Sequence, residues 1–404
     1  MPEFRITRLG LKGDGITEND QFIPFALPGE SFEGTFEDGV FKGERLADSE
    51  DRTAPPCPHF GTCGGCTLQH ASDDFLAAWK AETITRALHA QGLTAPLRPI
   101  ATSPAFSRRR ATFSARRTKK TTQVGFHKRG SAEIFPLEQC HLLKPEILAG
   151  LPACHALAGL GASRKGEIKI SVTDSAAGLD IDVRDAKPLD GPLRARLATL
   201  ANELALARLS WNSEQIADRA RPVQPMGKAK VLPPSGAFLQ ATAEGEAALV
   251  AAMQEAMTGA KRIADLFAGC GTFSLPLAEQ AEVLAVESEA DMLQALDTGW
   301  RFATGLKAVT TEARDLFRRP LVPLELKRYD AVVIDPPRAG AAAQFAEIAA
   351  SDIRLVGAVS CNPVSFARDA KTLIDAGFTL DWLLPVDQFR WSGHVELAAR
   401  FTRP

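Results

Sequence analysis

A cysteine and a glutamate in the last third of the chain are the residues best suited to covalent chemistry. Cys361 follows an apolar run at 356–360 and precedes Asn362-Pro363, a turn that can expose a thiol. A thiolate can act as a nucleophile and a carboxylate as a base. A cysteine after an apolar run is, by itself, more often a small buried core residue. If the segment 394–401 inserts antiparallel beside that run, Glu396 faces the same pocket as Cys361.

A glycine-rich turn is the next candidate for chemistry. Gly269 and Gly271 join an apolar run at 263–266 to a helix-compatible segment, and only glycine takes positive φ freely. A second apolar run ends in Glu287, where a doubly wound sheet holds ribose hydroxyls. Ser274 stands where a dinucleotide fingerprint would have its third glycine, which favours a mononucleoside-like ligand. A purely structural turn is the alternative.

Three further runs complete a predicted parallel sheet. The runs 309–315, 329–334 and 356–360 alternate with helix-like segments, the arrangement that gives an α/β fold with ligands at the carboxyl ends of the strands. Asp315, Asp335 and Cys361 lie at those ends. With Gly269 and Glu287, the sequence therefore predicts one site built from five strand tips.

Cys57, Cys63 and Cys66 form a tight C-x5-C-G-G-C group, for which Cys140 is the best candidate fourth ligand. Three clustered cysteines and one distant cysteine favour an iron–sulfur cluster. A zinc ion on the same four residues, or unligated thiols, are the alternatives. No signal peptide begins the chain and no apolar run reaches the ~18 residues of a membrane span, so a cytoplasmic protein with no membrane partner is expected.

The net charge of −2 over 404 residues hides an uneven distribution. Segment 101–132 contains no Asp or Glu but many basic residues, with three phenylalanines among them. Basic side chains can bind phosphates, and aromatic rings can stack on unstacked bases, so this segment predicts a surface that faces RNA. The alternative is a charged face that only contacts solvent. The arginines proposed as RNA contacts there are Arg108, Arg109 and Arg110, and the interleaved rings are Phe106, Phe113 and Phe126.

Three domains are predicted from these patterns. Residues 1–50 alternate short strands with glycine turns and resemble the TRAM domain, a small oligonucleotide-binding β-barrel. Residues 51–230 would form a central α+β domain that holds the cluster and binds RNA. Within it, 167–172 and 178–183 alternate as paired strands, and a helix-like run spans 192–207. Residues 231–404 would form the Rossmann-like domain.

The combined motifs resemble the RNA uracil-5-methyltransferase family over nearly the whole chain. They are the cysteine group, Asp-Leu-Phe-Ala-Gly-Cys-Gly-Thr-Phe-Ser-Leu, Asp-Pro-Pro-Arg-Ala-Gly, Val-Ser-Cys-Asn-Pro and His-Val-Glu. The resemblance implies a C-terminal S-adenosylmethionine (SAM) methyltransferase sheet, a 4Fe–4S cluster, and methylation of uridine C5 in RNA. It implies Cys361 as nucleophile and Glu396 as base, and it implies that Gln240, Phe267, Thr272, Glu287 and Asp335 hold the cofactor. The chemistry also needs a group that stabilises charge at the base carbonyls, for which Arg338 or a neighbouring group is the candidate. The glycine turn and the strand tips add Gly269, Gly271 and Asp315 to the predicted cofactor-binding residues.

The sequence departs from the pattern common in this family at two places. Thr272 replaces an asparagine common in the family, and Phe389-Arg390-Trp391-Ser392 replaces a Phe-Pro-x-Thr lead-in to His-Val-Glu. The resemblance favours 23S ribosomal RNA as substrate, transfer RNA second, and a monomeric enzyme. Cytosine C5 methylation, amino-methylation, and an RNA-binding iron–sulfur protein with an inactive methyltransferase domain are the alternative functions.

Overall fold

The N-terminal segment of the computed structural model, which describes residues 1–404, is a curled antiparallel sheet. Its strands are β1 (Glu3–Leu9), β2 (Gly15–Thr17), β3 (Phe22–Ile23), β4 (Ser31–Glu37) and β5 (Val40–Ala47). Their order is β3-β2-β1-β4-β5. The edge strands β3 and β5 approach each other but are not hydrogen-bonded. The predicted barrel is therefore observed as an open, curled sheet.

The middle of the chain forms a seven-stranded sheet of order β13-β12-β11-β10-β7-β8-β9 with helices packed on it. The elements from residue 73 to residue 218 are α1 (Asp73–His89), β6 (Ala101–Thr102), β7 (Arg110–Arg117), β8 (Thr122–His127), β9 (Ile134–Pro136), α2 (Pro145–Ala149), α3 (Leu151–Gly161), β10 (Ile168–Thr173), β11 (Asp180–Arg184), α4 (Gly191–Glu203), β12 (Arg208–Trp211) and β13 (Glu214–Asp218). The predicted strand pair is confirmed, since β10 and β11 are antiparallel neighbours.

One predicted RNA-facing ring lies in the core of this central sheet. Phe113 is fully buried on β7 and its ring packs against that of Phe126 at 5.4 Å. The prediction that Phe113 faces RNA is therefore wrong. Its neighbours on β7 explain why: Ala111 and Ala115 are buried too, so every second residue of the strand faces the core.

The C-terminal part forms an eight-stranded mixed sheet of order β18-β17-β16-β19-β20-β22-β21-β6. A hairpin of β14 (Gln224–Met226) and β15 (Ala229–Val231) precedes it. The remaining elements are α5 (Ala243–Ala256), β16 (Arg262–Leu266), α6 (Ser274–Leu277), β17 (Glu282–Glu287), α7 (Ala290–Phe302), β18 (Val309–Ala313), α8 (Pro323–Leu326), β19 (Ala331–Ile334), α9 (Ala342–Ala349), β20 (Leu355–Ser360), α10 (Pro363–Asp375), β21 (Thr379–Asp387) and β22 (Glu396–Thr402).

The five predicted strands of this sheet are confirmed as β16 to β20, each parallel to its neighbours among them. The last strand, β22, is antiparallel to β20, as the sequence analysis anticipated. Alternate side chains enter two hydrophobic clusters, for example Val333 in one and Val332 in the other. The strands are therefore buried on both faces, the arrangement expected of a parallel sheet covered by helices.

Two elements of the predicted central segment 51–230 pack on the C-terminal sheet. Helix α1 contacts α10 and places Ile84 and Leu88 in one of the C-terminal clusters. Strand β6 pairs with β21 and extends the sheet to eight strands. The division into three domains stays a prediction, but packing crosses the boundary drawn at residue 230. No helix combines the length and the hydropathy that crossing a membrane requires.

Candidate functional site

The turn between β16 and α6 has the backbone that its glycines predicted. Phe267, Gly269 and Gly271 have φ of 63°, 56° and 101°. A Cβ on Gly271 would lie 2.8 Å from Leu275 Cδ1, so the turn also needs glycine there for space. The N–H of Gly269 donates to Glu287 Oε2 at 3.1 Å. The turn is thus fixed against the end of β17.

Most of the predicted site residues line one cavity of about 410 Å³ at the carboxyl ends of these strands. Those that line it are Gln240, Phe267, Gly269, Thr272, Glu287, Asp315, Asp335, Arg338, Cys361 and Glu396. Gly271 forms part of the turn but does not line the cavity. The predicted convergence of five strand tips on one pocket is therefore present in the fold.

The end of the β20–β22 ladder brings Cys361 near Glu396. The last pair of this antiparallel ladder is Ser360 on β20 with Leu397 on β22, so Cys361 comes directly after one partner and Glu396 directly before the other. Both residues line the cavity, and Glu396 is only 4% exposed.

Burial and mutual repulsion raise the pKa values of the acidic groups in this site. Burial raises the pKa of Glu396 to about 7, against a hydrogen bond from Gln388 that lowers it. Burial, and then the Glu396 carboxylate, raise the pKa of Asp335 well above its usual value. Burial, followed by the charges of Glu396 and Asp335, raises the pKa of Cys361 to about 11, while Arg338 opposes the shift.

The cavity carries more acidic than basic side chains. Its acids are Glu287, Glu289, Asp315, Asp335 and Glu396, and its basic residues are Arg314 and Arg338. Arg314 is already paired with Glu312 and Glu325, both at 2.6 Å. A cation bound in this cavity would relieve the repulsion among the carboxylates and lower the pKa of Cys361. The electrostatics thus suit a positively charged small ligand.

Two residues at the site, Asp265 and Phe317, were missed by the sequence analysis. Asp265 is fully buried beneath the turn and accepts a hydrogen bond from the Ser274 hydroxyl, and burial raises its pKa to about 7. Phe317 is exposed, and its ring contacts that of Phe267 at 5.4 Å. Asp265 could have been singled out, because it is an acidic residue within an otherwise apolar strand. Nothing in the local sequence distinguished Phe317.

A second cavity of about 700 Å³ reaches Cys361 from the other side and shares Cys361 and Arg338 with the first. Its walls come from distant parts of the chain: the N-terminal sheet contributes Lys12, helix α1 contributes Arg86, and the loop before β22 contributes His394. The thiol of Cys361 therefore lies where two cavities meet, and the larger one has a cationic wall.

The four predicted metal-ligating cysteines line a separate cavity of about 150 Å³. They are Cys57, Cys63, Cys66 and Cys140. Arg108 lines the same cavity; burial lowers its pKa, and the negative charge of Cys140 and Cys66 opposes that shift. No group of three or more His, Cys, Asp or Glu side chains in the structure is arranged to hold a metal ion. The fold thus brings the four thiols together without a compact ligand set.

The three arginines predicted to bind RNA have other partners. Arg109 is buried, pairs with Glu246, and donates to the carbonyl oxygen of Gln240 at 3.1 Å. It therefore supports the backbone at Gln240, and the prediction that it contacts RNA is wrong because its side chain is buried. Arg110 donates to the Gly236 carbonyl at 3.3 Å, and Arg108 to the Arg110 carbonyl at 3.0 Å.

Comparisons with known proteins agree with this architecture. Residues 230–403 match a family model described as tRNA (uracil-5-)-methyltransferase. A relative from Mesorhizobium japonicum, described as an uncharacterized RNA methyltransferase, is 43% identical over 99% of this chain and 98% of its own. A relative from Caulobacter vibrioides with the same description is 42% identical over 100% of both chains.

The fold as a whole is similar to a solved structure. That structure is the Pyrococcus abyssi tRNA (uracil-54, C5)-methyltransferase in complex with S-adenosyl-L-homocysteine. The TM-score is 0.77, with 20% identity over 99% of each chain. At this identity the likeness is one of fold, and it includes the N-terminal and central parts as well as the C-terminal sheet.

Proposed function

The chain belongs to the RNA uracil-5-methyltransferase family, and on that premise we propose that it transfers a methyl group from SAM to C5 of a uridine in structured RNA. The observation that carries the proposal is that Cys361 lies where two cavities meet and lines one of them together with Glu396. One cavity suits a cationic cofactor, and the other admits a nucleotide to the same thiol.

The smaller of these two cavities is proposed to hold SAM, which supplies an electrophilic methyl group on a sulfonium. Glu287 would accept hydrogen bonds from the ribose hydroxyls at the end of β17. The rings of Phe267 and Phe317 form an apolar wall for a planar base, and Gln240, Thr272 and Asp315 would bind the remaining polar groups. The acids Asp335 and Glu396 favour the positive charge.

The proposed reaction begins with Cys361. Its thiolate adds to C6 of the uracil, and the C5–C6 bonding electrons move to make C5 an enolate-like nucleophile. Arg338, which lines both cavities, stabilises the charge that develops on the base. C5 would then accept the methyl group, and the bond between that group and the SAM sulfonium would break to leave S-adenosylhomocysteine. Glu396 removes the C5 proton, the C5–C6 double bond re-forms, and the C6–S bond breaks to release the thiolate.

The target nucleotide is proposed to enter through the larger cavity. A uracil inside a helix cannot reach a recessed thiol, so the base must be unstacked from its neighbours. Lys12 and Arg86, both exposed on the cavity wall, would attract the flanking phosphates. The first candidate RNA is 23S ribosomal RNA, because the N-terminal sheet and cysteine group resemble that branch of the family; transfer RNA is the second.

Mapping methylated nucleotides tests the function and the substrate together. Ribosomal and transfer RNA from a strain without the gene would be digested and compared by mass spectrometry with RNA from its parent. We expect one 5-methyluridine to be lost, and to be restored by the purified enzyme and SAM. Loss of 5-methylcytidine instead would support the cytosine alternative. Failure to bind SAM in calorimetry would support the inactive-domain alternative.

We further propose that Cys57, Cys63, Cys66 and Cys140 hold a 4Fe–4S cluster with a structural role. What supports this is the convergence of four thiols on one cavity and the guanidinium of Arg108 beside them, which would offset the negative charge of bound thiolates. A cluster there would fix the loop at 57–66 against the segment after β9. Iron and acid-labile sulfide analysis of anaerobically purified protein tests it; stoichiometric zinc without sulfide would contradict it.

A further inference from the structure

The backbone carbonyl of Arg338 is held by two side chains at the start of helix α10. Asn362, which directly follows Cys361, donates to it from Nδ2 at 3.0 Å. The hydroxyl of Ser365 donates to it at 3.1 Å and also lies 3.2 Å from the Asn362 carbonyl. The Asn362 Oδ1 accepts from the N–H of Val364 at 3.1 Å and caps α10. That backbone N–H fixes which end of the amide is the oxygen, so Nδ2 faces the Arg338 carbonyl.

The rest of this loop is held to the next turn of α10. Arg368 donates from Nη2 to the carbonyl of Ala339 at 3.0 Å, and the buried Asp369 accepts from the N–H of Ala341 at 2.9 Å. Between these points Gly340 has a φ of 76°, and a Cβ there would clash with the Asp369 carboxylate. The loop after β19 is therefore bonded to α10 at three points within four residues.

These contacts decide where the Arg338 side chain begins. That side chain is exposed and lines both cavities, as does Cys361. Its charge opposes the rise in the pKa of the Cys361 thiol, so the two groups are close enough to interact. An exposed arginine has many rotamers, so the region that its guanidinium reaches depends on where its backbone is fixed. Asn362 fixes that backbone relative to its own neighbour, Cys361.

We propose that Asn362 and Ser365 are positioning residues that hold Arg338 beside the Cys361 thiol, so that its guanidinium meets the charge that develops on the uracil. The catalytic consequence rests on the proposed function. A donor stabilises developing charge best when it is already in place before the reaction, and a displacement of about 1 Å can cost on the order of a hundredfold in rate.

Four substitutions isolate this role. Asn362→Ser keeps a hydroxyl that can cap α10, but serine is too short to reach the Arg338 carbonyl. Ser365→Ala removes the second donor, and Arg338→Ala removes the group that is positioned. The matched control is Ser351→Ala after α9, because Ser351 is similarly buried but its hydroxyl bonds only backbone groups of nearby residues, at 2.7 and 3.2 Å.

Alkylation of Cys361 measures the position of Arg338 without requiring activity. The rate with iodoacetate, an anion, is divided by the rate with iodoacetamide, which is neutral and similar in size, and peptide mapping identifies the modified cysteine. Both reagents attack the thiolate, so the ratio reports the charge near the sulfur and is insensitive to the thiolate fraction. The other charged groups around the thiol, among them Asp335 and Glu396, are the same in every variant.

The expected ratios follow from the loss of one nearby positive charge. Arg338→Ala should lower the ratio about threefold, the order expected for a single close charge in a water-like medium. Asn362→Ser and Ser365→Ala should each lower it about twofold, and neither should lower it further when combined with Arg338→Ala. Ser351→Ala should leave it unchanged.

The catalytic part is tested by kcat and by the Kd for S-adenosylhomocysteine. Arg338→Ala should lower kcat about a hundredfold, and Asn362→Ser and Ser365→Ala about tenfold each. The Kd should stay within about threefold of wild type in both positioning variants, since neither residue lines the cofactor cavity. Combined with Arg338→Ala, they should lower kcat no further, because they act through that side chain.

The proposal is overturned if Asn362→Ser and Ser365→Ala keep the wild-type alkylation ratio, or if Ser351→Ala lowers it equally. It is also overturned if they lower kcat as much without Arg338 as with it. Failure of the proposed function gives a different result, because the wild-type protein would then methylate no uridine. The alkylation ratios would still show in that case whether the two residues hold Arg338 beside Cys361.

Discussion

Replacing Glu396 with glutamine should make the protein less sensitive to alkaline pH, and the size of the effect follows from burial. In the folded protein the pKa of Glu396 rises from 4.5 to about 7. The native state therefore keeps a proton that the unfolded chain releases between these values. A group of this kind contributes stability below pH 4.5, and the contribution is lost as pH rises through about 7.

The magnitude can be estimated from the size of the shift. One pKa unit corresponds to about 1.4 kcal/mol, so ionising Glu396 costs the native state about 3 kcal/mol at pH 8 and about 1 kcal/mol at pH 5. Glutamine does not ionise and therefore has no such cost, and its side chain is close in volume to that of glutamate. The free energy of unfolding of Glu396→Gln, measured relative to wild type, should thus be about 2 kcal/mol higher at pH 8 than at pH 5.

Thermal unfolding without cofactor at pH 5 and pH 8 measures this difference. For a unit the size of the C-terminal part, about 2 kcal/mol corresponds to a shift of Tm on the order of 5 °C. Glu282→Gln, an exposed substitution at the start of β17, is the matched control and should show no pH-dependent difference. If the Tm of Glu396→Gln and the Tm of wild type change by the same amount between the two pH values, then Glu396 is not a buried group that keeps its proton in the folded state.

Three further outcomes follow from the structure. Cys361→Ala should abolish methyl transfer while S-adenosylhomocysteine still binds within about threefold of wild type in calorimetry, because one thiol contributes little to the cofactor cavity. Lys12→Ala and Arg86→Ala should each weaken RNA binding and reduce the salt dependence of its affinity by about one phosphate contact, measured by filter binding. Lys261→Ala, an exposed position just before β16 at the amino ends of the parallel strands, should do neither. Cys140→Ser should lower the iron content of purified protein, while Cys154→Ala, a fully buried core position, should leave it unchanged; equal iron in both would remove Cys140 from the proposed cluster.

The part of the site that could be predicted is the part that depends on local sequence patterns. Apolar runs ending in Glu287, Asp335 and Cys361 were sufficient to place those residues at one edge of a parallel sheet. The proximity of Glu396 to Cys361 also followed once β22 was taken as antiparallel to β20, because the start of β22 then lies at the same edge as the end of β20.

The parts that were missed depend on contacts between distant residues. In the sequence, Arg109 belongs to a run of basic residues of the kind usually found on a surface. Its side chain is buried because it forms an ion pair with Glu246, which lies 137 residues later. Strand β6 has only two residues, too few to show a period, and it joins the sheet through β21. The larger cavity combines Lys12, Arg86 and His394, which no sequence window contains together. The burial of Phe113, by contrast, was readable from the alternation along β7.

Trapping the covalent adduct on Cys361 tests the central claim most directly. RNA with 5-fluorouridine in place of the target uridine has no proton at C5 for Glu396 to remove, so the enzyme should stop after addition and methyl transfer. Incubation with SAM, followed by intact-mass measurement and peptide mapping, should show methylated RNA joined to the protein through Cys361. An enzyme that methylates ordinary RNA but forms no adduct, or forms it on another cysteine, would contradict the account.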